Sequence, residues 1–188
     1  MTLAAGKQAL RKQTAAVLRG ISAASLREQA NAVCEAVVDM PEFIKARNIS
    51  IYLSMPTGEL DTWNLCRSAL RMGKRVYIPR FSTLSAGALA SEHHKFTTDM
   101  QMLRVHDEHE LDHGLTANRW GIAEPPDLRS NSPREDRGQG LDMIIVPGML
   151  FDTHGGRLGH GKGYYDRYIH RAHAFAQQKS QPAPFICT

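Results

Sequence analysis

The sequence has few cysteines and no long apolar run. Cys34, Cys66 and Cys187 are the only cysteines among 188 residues. Their number is odd and their spacing suits neither a metal site nor a redox pair, which favours a reducing intracellular compartment. No apolar run approaches the roughly 20 residues of a membrane-spanning helix. These absences argue against a disulfide-stabilised secreted scaffold and against a membrane-embedded protein.

Acidic residues are missing from the start of the chain, where Glu28 is the first. The cations that precede it are Lys7, Arg11, Lys12, Arg19 and Arg27. Mitochondrial presequences share this composition, so import is an alternative to the cytoplasmic location that we expect. The net charge of +4 favours anionic ligands such as nucleotides, polyglutamates or nucleic acid. The basic strands with interleaved aromatics that would support RNA binding are absent, and we expect no nucleic-acid partner.

Apolar periodicity predicts helices that alternate with strands. This alternation indicates an α/β protein with a parallel sheet covered on both faces. Composition is ordinary for one globular domain, with 42% hydrophobic and 22% charged residues. The predicted helices cover residues 3–19, 25–38, 62–72, 107–113 and 164–173. The predicted strands cover residues 49–53, 76–78, 100–105 and 143–146, and Pro79 is expected to close the second.

A glycine-rich stretch follows the last predicted strand and precedes the last predicted helix. Its glycines are Gly155, Gly156, Gly159, Gly161 and Gly163. Strand, glycine loop and helix together present free backbone N–H groups and a helix N-terminus to one point, which binds anions and above all phosphate. Residues 156–162 fit the first seven positions of the P-loop pattern, but Gly163 replaces its Ser or Thr. We therefore predict a phosphate cradle that is not a standard P-loop; the alternative is a surface loop with incidental charges.

Charged residues within this stretch support the phosphate interpretation. Arg157 and Lys162 lie beside glycines, so a ligand can approach them closely. Asp152 and Asp166 are carboxylates that would hold Mg²⁺ beside phosphates.

At these residues the sequence resembles the 5-formyltetrahydrofolate cyclo-ligases, also called methenyltetrahydrofolate synthetases. The signature is Val-Pro-Gly at 146–148, Phe-Asp at 151–152 and Gly-Gly-Arg-Leu-Gly-His-Gly-Lys-Gly-Tyr-Tyr-Asp-Arg at 155–167. Lys-Gln-Ala-Leu-Arg at 7–11 and Asn-Arg-Trp-Gly-Ile-Ala-Glu at 118–124 resemble further family segments. The resemblance implies a three-layer, open, mainly parallel sheet like that of ribose-phosphate isomerases and CoA transferases. It implies a ligase that uses ATP and Mg²⁺ to convert 5-formyltetrahydrofolate to 5,10-methenyltetrahydrofolate, ADP and phosphate.

The resemblance also implies site residues. Arg157 and Lys162 are the catalytic candidates, and Asp166 is the magnesium candidate. The ATP-binding candidates are Lys7, Gln8, Ala9, Leu10, Arg11, Arg157, Leu158, Gly159, His160, Gly161, Lys162, Gly163, Tyr164 and Tyr165. The substrate-binding candidates are Leu53, Glu59, Trp120, His160, Gly161, Lys162, Gly163 and Tyr164.

Several of these residues have structural alternatives. The Lys7 and Arg11 pair, four residues apart, is also typical of an exposed basic helix face. Glu59 would offset a helix dipole instead of accepting from a pterin. Leu53 suits the core as well as the site, and Trp120 suits the core as well as the wall of a folate cleft.

A histidine group invites a metal interpretation as well. His109 and His113 are four residues apart, with His106 nearby. No fourth ligand is evident, so a solvated polar helix is the favoured interpretation over a zinc site.

The C-terminal residues depart from the family pattern. We expect one domain over residues 1–188 that stops where the family's C-terminal strand begins and lacks its tail, including an acidic residue of the magnesium site. An inactive or weakly active form that binds folate or nucleotide is therefore an alternative, as is another ATP-dependent ligase or kinase. We expect a monomer that acts on 5-formyltetrahydrofolate, polyglutamylated in the cell.

Overall fold

The computed structural model describes residues 2–83, 98–126 and 140–188. The helices in these residues are α1 Leu3–Arg19, α2 Ala23–Val38, α3 Pro41–Lys45, α4 Trp63–Arg71, α5 Glu108–His113 and α6 Tyr164–Gln178. The strands are β1 Asn48–Ile51, β2 Arg75–Thr83, β3 Thr98–Val105, β4 Thr116–Ala117, β5 Ala123–Glu124, β6 Met143–Ile145, β7 Leu150–Phe151, β8 Arg157–Leu158 and β9 Phe185–Cys187. Within the described residues no helix has the length and apolar character needed to cross a membrane.

The central sheet has five strands in the order β3-β2-β1-β6-β9. Strand β1 pairs in parallel with β2 and β6, and β6 pairs in parallel with β9. Strand β3 runs antiparallel to β2 and forms one edge. The carboxyl ends of β1, β2 and β6 therefore lie at the same edge of the sheet, where ligands bind in open α/β folds.

Helices cover both faces of the sheet. On one face, Val37 of α2 and Leu65 of α4 pack with Ile49 and Ile51 of β1. On the other face, Tyr165 and Tyr168 of α6 pack with residues that include Ile144 of β6. Successive strand residues thus enter opposite core clusters, as the period of two in a strand requires. The predicted mainly parallel α/β fold with three layers is confirmed.

Strand β2 differs from its prediction, because it continues past Pro79 to Thr83. Its pairing with β1 ends at Tyr77, which lies opposite Ser50. Beyond that point only β3 continues the pairing, with Pro79 opposite Met102. Pro79 lies past the β1 ladder, so its missing N–H removes no bond to β1. The prediction that Pro79 closes the strand is wrong for this reason.

Two helices also differ from prediction. Helix α3 is absent from the predicted helices; Pro41 occupies its first turn, where proline is favoured because its N–H would be unpaired. Helix α2 begins two residues earlier than predicted, since Ser22 is its N-cap and its Oγ accepts from the Ser25 N–H at 3.1 Å.

The C-terminal residues form a strand. Phe185–Cys187 pairs in parallel with β6, placing Ile186 opposite Ile144 and Cys187 opposite Ile145. The Val146 N–H also donates to the Cys187 carbonyl at 3.0 Å. Strand β9 thus covers the edge of β6 that faces away from β1.

Candidate active site

A cleft of about 440 Å³ opens at the carboxyl edge of the parallel strands. It is bounded by the residues that follow β1 and β6, by the end of β2, by the glycine loop and by one face of α1. The lining residues are Lys7, Arg11, Tyr52, Leu53, Met55, Glu59, Pro79, Phe81, Trp120, Ile122, Pro147, Arg157, Leu158, Gly159, His160, Gly161, Lys162, Gly163, Tyr164, Tyr165 and Asp166. The cleft therefore brings together both the predicted phosphate-binding residues and the predicted folate-binding residues.

The glycine loop follows a small hairpin formed by β7 and β8. Asp152 shapes this hairpin, because its Oδ1 accepts from the His154 N–H at 2.8 Å and from the Gly156 N–H at 2.7 Å. Asp152 does not line the cleft. The structure therefore does not bring Asp152 to the cleft beside Asp166, and its carboxylate serves the local turn.

Positive backbone φ angles carry the loop into helix α6. Gly161 has φ of +86°, and Gly163, the N-cap of α6, has φ of +66°. A Cβ at Gly161 would lie 3.2 Å from Arg11 Cζ. Glycine at 161 therefore serves both the left-handed backbone and the close approach of the Arg11 guanidinium.

Arg157 is the most firmly held cation of the cleft. Its Nη1 donates to the Pro147 carbonyl at 3.0 Å, and its Nη2 donates to Asp166 Oδ1 at 2.7 Å. Its side chain is 12% exposed, whereas that of Asp166 is 73% exposed. The guanidinium thus links the residues after β6 to the first turn of α6. Arg157 also lines the cleft.

Helix α1 brings two further cations to the loop. Lys7 and Arg11 are one helical turn apart and both line the cleft. Arg11 Nε donates to the Gly159 carbonyl at 2.8 Å. No residue of α1 is buried, so this contact is a principal link between the helix and the site. Arg11 is half-buried against the loop, whereas Lys7 lines the cleft and is exposed, as the alternative of a basic helix face also predicts.

Three predicted nucleotide contacts lie elsewhere on α1. Gln8, Ala9 and Leu10 are exposed and do not line the cleft. Gln8 and Ala9 point to other sides of the helix, because only positions i, i+3 and i+4 share a face. The resemblance covered the whole segment, but the helix presents only Lys7 and Arg11 to the cleft.

Glu59 lies in the cleft against the glycine loop. Its Oε2 accepts from the Met55 N–H at 2.8 Å, and its Oε1 lies 3.6 Å from His160 Nε2. Burial, and after it the charge of Glu59, raises the pKa of both the Tyr52 and the Tyr165 hydroxyls. Glu59 is therefore a largely buried carboxylate that faces two phenols, and not an exposed first-turn acid.

Three aromatic rings form a wall beside Glu59. Phe81 packs edge-on against Trp120 at 5.4 Å and against Tyr164 at 4.9 Å between centroids. Glu124 Oε2 accepts from the Phe81 N–H at 3.1 Å and from Asn118 Nδ2 at 3.2 Å, which fixes the β4–β5 hairpin that carries Trp120. Trp120 is 38% exposed and lines the cleft, so it is not an ordinary core tryptophan. A flat heterocycle matches such a wall.

Leu53 combines both roles that the sequence suggests. It is 2% exposed and belongs to the core cluster beneath β1. It also lines the cleft. Its side chain therefore forms part of the apolar floor of the site.

Some lining residues were missed by the sequence analysis. Tyr52 directly follows β1 and Pro147 lies two residues after the end of β6, so the rule that ligands bind at the carboxyl ends of parallel strands would have found them. Met55 and Ile122 carry no comparable signal, because their positions depend on how the two loops pack.

The described residues of the cleft offer too few protein ligands to hold Mg²⁺ without the phosphate groups of a bound nucleotide. Among the described residues no group of three His, Cys, Asp or Glu side chains is arranged to hold a metal. His109 and His113 have rings 5.0 Å apart and no such third ligand within the described part of the chain. Asp166 supplies one exposed carboxylate next to the cations of the loop, and Mg²⁺ is commonly bound by one or two carboxylates together with substrate phosphates. The donor set therefore fits magnesium that arrives with a nucleotide.

Comparisons with known proteins identify a family for the chain. The sequence model of the 5-formyltetrahydrofolate cyclo-ligase family matches residues 3–187. The chain is 37% identical to a probable 5-formyltetrahydrofolate cyclo-ligase of Schizosaccharomyces pombe over 155 residues, covering 82% of this chain and 67% of the relative. It is 34% identical to the probable enzyme of Caenorhabditis elegans over 174 residues, covering 93% and 77%. The solved 5,10-methenyltetrahydrofolate synthetase of Aquifex aeolicus is 28% identical with a TM-score of 0.65, covering 88% and 72%.

Proposed function

The chain belongs to the 5-formyltetrahydrofolate cyclo-ligase family, and we propose that its cleft closes the ring of 5-formyltetrahydrofolate at the expense of ATP. It is an enzyme of the ligase class. One observation carries the site assignment: the glycine loop and its cations occupy the same cleft as a largely buried carboxylate and an aromatic wall. The first group suits the phosphates of ATP, and the second suits a pterin, which has a donor edge and a flat face.

The reaction proceeds through an activated formyl group. The formyl oxygen attacks the γ-phosphorus of ATP, ADP leaves, and the product is an iminium phosphate. The second folate nitrogen then attacks the formyl carbon, the C–O bond breaks, and phosphate leaves with that oxygen. The nitrogen loses its proton and the methenyl ring remains. This chemistry needs alignment and charge stabilisation more than a strong base.

Arg157 and Lys162 supply the charge stabilisation. Arg157 is preorganised by Pro147 and Asp166, so its N–H groups are already oriented when the nucleotide binds. Lys162 is exposed, and no hydrogen bond or ion pair of its ammonium group occurs within the described residues. A flexible cation of this kind stays close to the γ-phosphoryl oxygens while that group moves from ATP to the formyl oxygen. Lys7 and Arg11 hold the nucleotide from the opposite side of the loop.

Asp166 would hold Mg²⁺ with the phosphates of ATP. When bound, the ion offsets the negative charge of the nucleotide. The Arg157–Asp166 pair orients the carboxylate for this role.

The wider setting of the enzyme is part of the proposal. The chain acts as a monomer in the cytoplasm, in keeping with three cysteines that are all free. The net charge of +4 favours a polyglutamylated folate.

A different ATP-dependent kinase or ligase would use the same cradle for another acceptor, and an inactive folate-binding form would not consume ATP at all. ATPase measurements distinguish these cases. We expect 5-formyltetrahydrofolate to stimulate ADP release strongly and folic acid, which lacks the formyl oxygen, to leave it unchanged. A high ATPase rate that does not depend on 5-formyltetrahydrofolate would favour a different kinase or ligase. Folate binding without ATPase activity would favour the inactive form.

Glu59→Gln is expected to raise KM for 5-formyltetrahydrofolate about tenfold or more and to alter KM for ATP much less. The amide keeps the shape of the carboxylate but removes the charge that strengthens hydrogen bonds from the pterin, worth about 1.5–3 kcal/mol. Steady-state kinetics with each substrate varied in turn measures the two constants.

Glu110→Gln is the matched control. Glu110 is also a buried carboxylate that accepts from a backbone N–H, that of His106 at 2.9 Å, and pairs with a histidine. It does not line the cleft, so its substitution should leave both constants unchanged. If Glu59→Gln moves only KM for ATP, the folate end of the cleft is misassigned.

A further inference from the structure

One contact joins two loops that line the cleft. His160 Nε2 lies 3.6 Å from Glu59 Oε1. His160 is part of the glycine loop, between Gly159 and Gly161, whereas Glu59 follows strand β1. The His160 side chain is 50% exposed and that of Glu59 is 12% exposed. The carboxylate is therefore the more enclosed partner and is held by a backbone N–H, whereas the imidazole is half exposed.

The two oxygens of Glu59 have different surroundings. Oε2 is held by the Met55 N–H at 2.8 Å, a contact within its own loop. Oε1 faces His160 of the glycine loop. Oε1 makes no hydrogen bond within the described residues, so it is the more available acceptor for a pterin, and it is the oxygen that His160 contacts.

His160 also lies where phosphate oxygens bind in the proposed function. It belongs to the same loop as Lys162, and both line the cleft. The adjacent Gly161 has no side chain to obstruct the imidazole, and its φ is +86°. An imidazole on this loop therefore has two competing acceptors: Glu59 in the free protein and a phosphate in the nucleotide complex.

We propose that His160 is a positioning residue that couples nucleotide binding to folate binding. In the free protein it contacts Glu59 Oε1. When phosphates occupy the loop, it turns to them and leaves Oε1 to accept from the pterin. This inference rests on the proposed function. It adds that nucleotide binding frees Glu59 for the folate, and so prepares the cleft for the second substrate. Linkage requires that folate strengthens nucleotide binding by the same factor.

Calorimetric titration of 5-formyltetrahydrofolate tests this coupling, in the absence and presence of a saturating non-hydrolysable ATP analogue with Mg²⁺. For the unaltered protein we expect the analogue to lower the folate Kd about tenfold, within the usual range for linked sites. In His160→Ala, the folate Kd without analogue should already approach the lower value, and the coupling factor should fall to about one. The reverse titration should give the same factors.

His154→Ala is the control, since His154 is an exposed histidine of the same region that does not line the cleft. It should retain the full coupling factor. A second test avoids dependence on one variant: in a Glu59→Gln background, His160→Ala should cause no further change in coupling.

The outcomes separate this inference from the proposed function. Unchanged coupling in His160→Ala, or binding of both ligands without coupling in the unaltered protein, would overturn the role of His160 and leave the enzyme assignment intact. Failure of the unaltered protein to bind either ligand would overturn both.

Discussion

Lys162→Ala is expected to lower kcat/KM by about 30- to 1000-fold, which corresponds to about 2–4 kcal/mol of transition-state stabilisation. Lys162 lies in the glycine loop at the cleft, and its ammonium group makes no hydrogen bond or ion pair within the described residues. Its charge is therefore available to the γ-phosphate. Because the charge on the transferring oxygens is redistributed in the transition state, kcat should fall along with ATP affinity.

The measurement is methenyl product formation at several ATP concentrations, together with direct titration of ATP. Lys12→Ala is the matched control, because Lys12 is an exposed lysine of α1 that does not line the cleft. It removes the same charge from the helix that carries Lys7 and Arg11, and it should leave kcat/KM within about threefold, as expected for a screened surface charge. Equal activity of Lys162→Ala and the unaltered protein would show that the loop lysine is not part of the catalytic site.

Arg157→Lys is expected to reduce kcat by about 100-fold although the charge is kept. Arginine makes two fixed contacts, to the Pro147 carbonyl and to Asp166, and a lysine cannot reproduce both with one ammonium group. The preorganised orientation of the remaining N–H groups is then lost, a change that typically costs about 2.7–4 kcal/mol when the group faces developing charge.

Arg71→Lys is the control for replacing an arginine whose guanidinium makes two hydrogen bonds. Arg71 binds both oxygens of Glu108, at 2.9 and 2.7 Å, on a surface away from the cleft. We expect this substitution to leave kcat unchanged, because an exposed ion pair contributes little to stability. If Arg157→Lys retains full turnover, then Arg157 serves the packing of the loop and not the reaction.

The phosphate end of the site was predictable because its residues are close in sequence. The glycines, Arg157 and Lys162 lie in one loop between a strand and a helix, and that order alone indicates anion binding. Lys7 and Arg11 were recognisable as a pair by their spacing of one helical turn. Of this segment the structure brings only Lys7 and Arg11 to the cleft, whereas Gln8, Ala9 and Leu10 are exposed and lie outside it.

Other parts of the fold and site depend on tertiary structure that the sequence pattern does not contain. The continuation of β2 past Pro79 requires knowing that β1 ends before that point. Asp152 is held in a turn because its carboxylate accepts from two backbone N–H groups of its own hairpin. The His160–Glu59 contact joins loops from distant parts of the chain, and only the common edge of the parallel strands brings them together.

The most direct test of the proposed reaction is absorbance at the band of 5,10-methenyltetrahydrofolate during incubation of the protein with 5-formyltetrahydrofolate, ATP and Mg²⁺. We propose that the glycine loop and its cations bind ATP and that the aromatic wall binds the pterin. Because both line one cleft, this band should grow, with one ADP released for each product molecule formed. Omission of ATP, or the Lys162→Ala substitution, should suppress the growth. A protein that binds both ligands yet produces no methenyl band above the Lys162→Ala background would contradict the account.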